Sequence, residues 1–294
     1  MGEIRVLKTI GETRAQVLKY KKEGKIIGLV PTMGYFHEGH INLMRKARKE
    51  CDVVFVSLFV NPIQFGPKED LASYPRDLEH DIKMASKADV DYIFFPEVSE
   101  MYPERFQTKV TAGELSKDFC GASRAGHFDG VCTVVSKLFN IMTPDFAYFG
   151  MKDYQQLVII EKMVEDLNFG IKIRRCEITR ESDGLAMSSR NTYLTPDERS
   201  AAPQFQKSLK ALSCEIIEAV KCGKNLNLNE AVNRRCDEIL AAGFKKVDYL
   251  KIADAQTLNI ISNFDQLKKS REIFIAGAMF IGKTRLIDNI VFEI

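Results

Sequence analysis

Several features that would place this chain in a specialised class of protein are missing from its sequence. Lys and Arg together number 42 and Asp and Glu 40, so the net charge is only +2. A dedicated nucleic-acid-binding protein needs a clear basic excess or a basic face, and the near balance of charge argues against one. The longest apolar run, residues 53–60, is far too short to cross a bilayer.

Cysteine pairs, targeting segments and repeats are also missing. The seven cysteines are an odd number without any CxxC pair, which is typical of reduced thiols in a cytosolic protein and argues against structural zinc. Residues 1–8 carry charges of both signs and no apolar segment, so no signal peptide is expected. We therefore expect a soluble, cytoplasmic, globular protein, and 294 residues leave room for two domains.

The first part of the chain alternates short apolar strands with amphipathic helices. Strands are predicted at 25–30, where Pro31 closes the strand, and at 53–59 and 91–95, with helices at 41–50 and 77–87. Helices at 133–141 and 155–167 and a strand at 171–178 complete this part. The alternation predicts an α/β fold with a Rossmann-like doubly wound parallel sheet.

The pattern changes near residue 183. Thr195, Pro196 and Glu198 are arranged as a capping box and predict the start of a helical stretch. A helix at 226–242 and strands at 246–252, 272–280 and 285–293 follow. Because these strands lack βαβ spacing, they indicate a second, smaller α+β domain, and we expect the chain to divide into residues 1–180 and 181–294.

The segment with the most chemical information is residues 31–40, Pro-Thr-Met-Gly-Tyr-Phe-His-Glu-Gly-His. It joins the first predicted strand to the first predicted helix, where open α/β sheets bind ligands. Gly34 and Gly39 let the backbone approach a phosphate, and the helix N-terminus offers free N–H groups. His37 and His40 can donate to phosphate oxygens, and their spacing excludes the H-E-x-x-H zinc site. The turn therefore favours a nucleotide phosphate.

Three further segments carry polar groups that suit a small ligand and phosphates. Asn61 and Gln64 follow the second strand among apolar residues, although a plain surface turn fits their spacing equally well. Lys152 is a point charge for polyphosphate beside Asp153, a possible Mg²⁺ ligand. The loop 183–191 contains two hydroxyls and one Arg, a combination that binds phosphate. The loop lies at the predicted domain junction, where it could close over the bound phosphate.

Asp81 is a second candidate ligand for Mg²⁺, although a solvated carboxylate on a helix is the simpler interpretation of its spacing. Each of these motifs, taken singly, is more often structural than functional. Their combination with the paired histidines favours an enzyme that binds ATP.

With these motifs in this order, the chain resembles the pantothenate synthetases (pantoate–β-alanine ligases), a family of the H-x-G-H nucleotidyltransferase superfamily. The resemblance runs nearly end to end through ordered blocks at 31–40, 59–66, 69–71, 74–76, 126–131, 137–140, 149–156, 183–191 and 282–289. Tyr35 and Phe36 depart from a commoner Ala-Leu and could narrow the pocket. Ala125 stands where Pro is usual, and Asp77 stands where Thr is usual.

The resemblance implies an enzyme that condenses (R)-pantoate with β-alanine to pantothenate through a pantoyl adenylate, with release of AMP and pyrophosphate. It implies His40 as the catalytic histidine, with His37 and Lys152 beside it, and Gln64 and Gln156 on pantoate. The implied ATP-binding residues are Met33, Gly34, Tyr35, Phe36, His37, Glu38, Gly39, His40, Gly150, Met151, Lys152, Asp153, Thr179, Met187, Ser188, Ser189 and Arg190.

Substrates, cofactor and partners follow from the same resemblance. Pantoate, β-alanine and ATP are the expected substrates, with Mg²⁺ held partly by Asp153 or Asp81. We expect residues 181–294 to form a lid over the ATP site and two copies of the chain to form a homodimer. No nucleic-acid or membrane partner is expected.

Two other functions remain open. The first is another H-x-G-H nucleotidyltransferase that transfers AMP to a phosphate-bearing acceptor. Gln64 and Gln156 argue against it, because such an acceptor needs more cationic partners. The second is a non-catalytic nucleotide sensor or RNA-binding relative, since a fold does not fix a function. The balanced charge and the complete set of His, Lys, Ser and Arg side chains argue against this one.

Overall fold

The computed structural model of the chain describes residues 3–67 and 69–294. These residues divide into two compact units. The first unit contains the described residues of Met1–Lys117 together with Gly121–Met151 and Gln156–Thr179, and the second contains Asp118–Cys120, Lys152–Gln155 and Arg180–Ile294. Among the described helices, none is long and apolar enough to span a membrane.

The first unit is built on one sheet of six parallel strands, as the α/β prediction required. The strands are β1 (Arg5–Leu7), β2 (Ile27–Thr32), β3 (Val53–Leu58), β4 (Tyr92–Phe94), β5 (Phe146–Gly150) and β6 (Lys172–Cys176). Their order across the sheet is β1-β4-β3-β2-β5-β6. The strand order reverses between β2 and β5, and the carboxyl ends of strands at such a switch point flank the crevice where doubly wound sheets bind ligands.

Helices connect these strands. Their bounds are α1 (Ile10–Lys22), α2 (Glu38–Glu50), α3 (Leu78–Ala85), α4 (Val98–Met101), α5 (Cys120–Ser123), α6 (His127–Met142) and α7 (Tyr154–Asp166). Helix α2 begins three residues before the predicted start at 41, because His37 caps it. Helix α6 begins six residues before the predicted 133, because the added residues include Gly130, a poor helix former that weakens the helical signal there.

The core of the first unit fixes the position of α2 after β2. Val30 of β2, Val54 and Val56 of β3, and Ile41 and Met44 of α2 are fully buried in one cluster. Burial of each such side chain contributes roughly 1.5–3 kcal/mol. Strand β2 also continues through Pro31, beyond its predicted end. Pro31 lies past the residues that pair with β5, so its missing N–H breaks no bond of that ladder.

The second unit contains an antiparallel sheet of three strands and a layer of helices, which confirms the α+β prediction. The strands are β7 (Lys246–Asp254), β8 (Glu272–Ile281) and β9 (Thr284–Glu293), and the helices are α8 (Pro196–Ala201), α9 (Pro203–Lys221), α10 (Leu228–Ala241) and α11 (Phe264–Leu267). Thr195 and Glu198 form the predicted capping box. Helix α9 packs closely on β8, because a Cβ at Gly277 would lie 2.9 Å from the Phe205 ring.

Candidate active site

The turn after β2 is held by a buried carboxylate. Gly34 has a φ of 90° and Tyr35 a φ of 53°, and Asp81 lies fully buried against this turn. The Asp81 carboxylate accepts hydrogen bonds from the N–H groups of Tyr35 at 2.8 Å and Phe36 at 2.6 Å. Burial raises the pKa of Asp81 above its ordinary value, although the two N–H donors favour its charged form. Asp81 therefore supports the turn from within.

The two histidines of the turn form a capping box at the start of α2. The Nδ1 atom of His37 accepts the Gly39 N–H at 3.1 Å, and the Nδ1 atom of His40 accepts the His37 N–H at 3.3 Å. A ring nitrogen that accepts a hydrogen bond carries no proton, so each neutral ring has its proton on Nε2. The ring centres lie 4.2 Å apart. The backbone thus sets both histidines in the tautomer that donates through Nε2.

The space around the His37 ring explains why a glycine, Gly39, stands before His40. A Cβ at Gly39 would lie 2.8 Å from Cε1 and 2.9 Å from Nδ1 of His37, so any side chain would displace the ring. Thr179, predicted to contact ATP, lies beside this turn, since its hydroxyl accepts from the Asn42 amide at 3.1 Å. The structure therefore brings Thr179 together with the histidines.

Tyr35 and Phe36 occupy different environments. Phe36 is buried in the core of the first unit, and its carbonyl accepts from Nε2 of His80 at 3.0 Å. Tyr35 is half-buried and stacks on the His80 ring, with 5.7 Å between ring centres. Of the two residues that could narrow a pocket, only Tyr35 keeps substantial exposed surface.

Gln64 is buried in a set of directed hydrogen bonds. Its Oε1 atom accepts from the Asn61 amide at 3.0 Å, and its Nε2 atom faces the Met33 sulfur at 3.3 Å. Asn61 is itself held by the Gly130 carbonyl at 3.1 Å and the Tyr102 hydroxyl at 2.8 Å. Because a thioether is a weak acceptor, the Gln64 N–H groups can turn to a stronger acceptor at little cost.

A chain of charged and polar groups, which sequence reasoning missed, supports the Gln64 backbone. Glu69 accepts two bonds from the Arg124 guanidinium, at 2.7 and 2.8 Å. Arg124 contacts Nε2 of His127 at 2.8 Å, and His127 Nδ1–H donates to the Gln64 carbonyl at 2.8 Å. Burial raises the pKa of Glu69, but the hydrogen bonds and charge of Arg124, together with smaller contributions from Gly66 and His127, outweigh burial, so the pKa lies below its ordinary value. His127 lies in the block 126–131 that carries part of the family resemblance.

Gly150, Met151 and Gln156 also belong to the first unit. Gly150 ends β5, at the switch point of the sheet. Gln156 is half-buried near the start of α7, and its side-chain amide has no hydrogen-bond partner among residues 3–67 and 69–294. Unlike Gln64, it is not held by a neighbouring side chain.

Lys152 and Asp153 lie in the second unit, in a short 3-10 turn before α7. The half-buried Lys152 side chain makes no ion pair with any residue that the structure describes. Its carbonyl accepts from the Asn289 amide at 2.9 Å, and the neighbouring Tyr154 hydroxyl donates to the Ala255 carbonyl at 3.1 Å. The backbone of this turn is therefore fixed, while the ammonium is not tied to any described carboxylate.

The predicted phosphate loop, Met187 to Arg190, follows a tight hairpin in the second unit. Arg180 and Ala186 form an antiparallel bridge across this hairpin. Ser188 caps a 3-10 turn by accepting the Arg190 N–H at 3.3 Å. The predicted ATP-binding residues are thus divided between the units, with the histidine turn in the first and Lys152, Asp153 and this loop in the second.

Comparisons with known proteins agree with these motifs. The sequence profile of the pantoate-beta-alanine ligase family matches residues 5–291. The chain is 51% identical over 290 residues to a pantothenate synthetase of Caldicellulosiruptor saccharolyticus and 49% identical over 291 residues to one of Enterococcus faecalis, covering 98% of this chain and 99% of each relative.

Solved structures give the same result. The crystal structure of pantothenate synthetase from Thermus thermophilus matches with a TM-score of 0.87 and 41% identity, over 98% of this chain and 99% of that one. That of pantoate-beta-alanine ligase from Francisella tularensis, complexed with beta-gamma ATP and beta-alanine, matches with a TM-score of 0.78 and 34% identity, over 98% and 97%. The chain therefore belongs to the pantoate–β-alanine ligase family, and it is an enzyme that joins pantoate to β-alanine rather than one that transfers AMP to a phosphate-bearing acceptor.

Proposed function

We propose that the enzyme works in two steps, with ATP as the activating substrate. A carboxylate oxygen of (R)-pantoate attacks the α-phosphorus of ATP, and pyrophosphate leaves with the electrons of the broken P–O bond. The amine of β-alanine then attacks the acyl carbon of the pantoyl adenylate, loses a proton and displaces AMP. The observation that carries this proposal is the histidine capping box, which presents two Nε2–H donors at the sheet's switch point.

Charge stabilisation is the main contribution that we assign to the protein. His37 and His40 donate to phosphate oxygens on which charge grows as pyrophosphate departs, and such preorganised donors lower the barrier without reorganising in the reaction. Lys152 supplies a positive charge, and its lack of an ion pair with the described residues leaves that charge free for an anion. The chain also lacks the G-x-x-x-x-G-K-[ST] loop of enzymes that transfer the γ-phosphoryl group.

The pantoate site is proposed to use amides instead of guanidinium groups. Among the described residues, the Gln64 N–H groups face a thioether and the Gln156 amide has no partner, so both side chains can donate to the acid. A bidentate arginine would stabilise the carboxylate in the ground state and so weaken it as a nucleophile. Amide donors orient the acid with a smaller loss of reactivity.

Mg²⁺ is proposed to bind with ATP, held by Asp153. Among the described residues, no group of three His, Cys, Asp or Glu side chains could hold a metal ion by itself, which fits an ion bound through one or two carboxylates and the substrate's phosphates. Asp153 is exposed, whereas Asp81 already accepts two backbone N–H groups. We therefore assign Asp81 to the turn. Bound Mg²⁺ would neutralise charge on the triphosphate.

Residues 181–294 are proposed to form a lid over the ATP site, with Ser188, Ser189 and Arg190 on the phosphates. The chemical reason is that the adenylate is hydrolysable, so a closed site protects it from water. The family resemblance supports a homodimer. None of the seven cysteines forms a disulfide, which supports a reducing, cytoplasmic location.

An omission experiment tests the proposal. The purified protein is incubated with ATP, Mg²⁺, pantoate and β-alanine, each left out in turn, and the nucleotide products are identified. We expect AMP, pyrophosphate and pantothenate in equal amounts from the full mixture, and no more than about one pyrophosphate per enzyme without β-alanine. ADP as the stoichiometric product would exclude attack at the α-phosphorus.

A further inference from the structure

Strand β9 buries two polar residues in succession, Asp288 and Asn289, each only 4% exposed. Successive side chains of a strand point to opposite faces, so both faces of β9 are covered at this point. Buried polar groups need hydrogen-bond partners, and these two find theirs in the Lys152 turn and in the hairpin that leads into the Met187–Arg190 loop.

Asn289 holds the turn that carries Lys152. Its side-chain N–H donates to the Lys152 carbonyl at 2.9 Å, from a position 137 residues further along the chain. This bond sets the position of the Lys152 backbone, and therefore the point from which the ammonium extends.

Asp288 holds the hairpin that leads into the phosphate loop. Its carboxylate accepts two bonds from the Arg180 guanidinium, at 2.7 and 3.0 Å. Arg180 also donates to the Gly184 carbonyl at 3.0 Å, inside the same hairpin. The Asn289 N–H donates to Asp288 at 2.8 Å and so orients the carboxylate.

We propose that Asp288 and Asn289 are positioning residues for adenylation. They are neighbours on one rigid strand, so they hold the Lys152 turn and the base of the Met187–Arg190 loop at a fixed spacing. The Lys152 ammonium and the Arg190 guanidinium are then already placed to contact the same triphosphate when ATP binds. The inference rests on the roles proposed above for Lys152 and Arg190. A displacement of about 1 Å in such a site can cost roughly a hundred-fold in rate.

A double-mutant cycle tests whether Asn289 acts through Lys152. Asn289→Leu keeps the approximate volume but removes the donor, and it is made in the parent and in Lys152→Ala. The rate of pyrophosphate release is measured in a single turnover with ATP, Mg²⁺ and pantoate. We expect Asn289→Leu to slow the parent roughly ten- to a hundred-fold, and to cost less than about two-fold in Lys152→Ala, because residues that act together are not additive. The KM for pantoate should change little, since Gln64 and Gln156 lie in the first unit.

A second double-mutant cycle tests whether Asp288 acts through the loop that carries Arg190. Asp288→Asn keeps the shape of the side chain but weakens the hold on Arg180, and it is combined with Arg190→Ala. We expect Asp288→Asn to raise the KM for ATP several-fold in the parent and to have less than about a two-fold effect in Arg190→Ala.

Two variants separate positioning from a general loss of stability. Leu286→Ala removes a core side chain from the same strand but none of the hydrogen bonds that hold the two segments, so we expect a lower melting temperature with parent-like turnover below it. Asn289→Ser keeps a shorter donor, so we expect a smaller loss than in Asn289→Leu. If Asn289→Leu does not fold, Asn289→Ser carries the same cycle.

The outcomes distinguish this inference from the proposed function. If Lys152→Ala is slow and Asn289→Leu costs the same factor in both backgrounds, Asn289 does not act through Lys152 and only the inference fails. If Lys152→Ala adenylates pantoate at the parent rate, the role of Lys152 in the proposed function fails as well.

Discussion

The histidine turn and the cationic segments of the second unit obtain their geometry in different ways. In the turn, His37 bonds to a backbone group two residues away and His40 to one three residues away. The cationic segments are Lys152 and the loop Met187 to Arg190, and they depend on β9. Asn289 bonds to the Lys152 carbonyl across 137 residues, and Asp288 to Arg180 across 108.

Because of this difference, we expect substitutions in the two regions to affect stability and activity differently. A substitution of His37 or His40 can remove a donor while the fold survives, because both residues are only half-buried. A substitution in the supports of the cationic segments disturbs buried polar groups, so stability and activity should fall together. We therefore expect substitutions of the two histidines to lower activity with little change in stability, and substitutions in the supports of the cationic segments to lower both.

The largest expected effect concerns two arginines of the second unit. Arg180→Gln leaves the Asp288 carboxylate, whose side chain is 3% exposed, without its charge partner, and the loss of one member of a buried pair costs about 3–5 kcal/mol. Arg199→Gln breaks the Arg199–Asp183 pair, whose side chains are 35% and 39% exposed, and should cost less than about 1 kcal/mol. Urea unfolding of both variants measures the difference. A loss below about 1 kcal/mol in Arg180→Gln would show that the buried pair does not support this region.

The next effect concerns the donors of the turn. His40→Ala should lower the rate of adenylation by roughly two to three decades, the scale for one preorganised donor, with a melting temperature close to that of the parent. His37→Asn is a companion variant, because an Asn oxygen can accept the Gly39 N–H and keep the helix cap while Nε2–H is lost. Near-normal turnover in His40→Ala would remove it from the catalytic residues.

Two glycines at the same helical position provide a matched pair. Gly39 is the second residue of α2 and Gly11 the second residue of α1. A Cβ at Gly39 meets the His37 ring at 2.8 Å, whereas at Gly11 the nearest atom lies at 4.0 Å. We expect Gly39→Ala to slow adenylation by about ten-fold or more, the scale of about 1.4 kcal/mol, and Gly11→Ala to leave it unchanged. If both variants kept parent rates, the ring position would not matter.

The smallest effect tests the long-range support within the first unit. Because the pKa of Glu69 is lowered in the fold, its contribution to stability is present above the unfolded pKa and is lost as the pH falls through the folded pKa. At pH 7, Glu69→Gln should be less stable than the parent by about 1 kcal/mol. This difference should shrink as the pH is lowered below the ordinary range of a glutamate. A difference that stayed constant down to acid pH would show that the Glu69 charge is not its source.

The same contrast explains what could be predicted from the sequence. The capping bonds of the two histidines are local, although Asp81 supports the turn from 45 residues away, so the place of the turn between a strand and a helix followed from local pattern. Strands β1 and β5 were not predicted, because they have only three and five residues and give little pattern to detect. The parallel sheet itself followed from the alternation of strands and helices.

The residues that hold the site could not be found in the same way. Arg124, His127, Asp288 and Asn289 act on groups that are distant in sequence, and nothing near Lys152 indicates that Asn289 contacts it. Asp81 shows the reverse case. Its spacing suggested a solvated carboxylate or a metal ligand, but the fold buries it beneath the turn and directs two backbone N–H groups at it.

Attack of the pantoate carboxylate on the α-phosphorus is the central chemical claim, and one labelling measurement tests it most directly. Pantoate carrying ¹⁸O in both carboxylate oxygens is converted with ATP and β-alanine, and AMP and pantothenate are examined by mass spectrometry. We predict one ¹⁸O in each AMP and one in the new amide of pantothenate, because the bridging oxygen leaves with the phosphate. AMP without label would contradict the pantoyl adenylate.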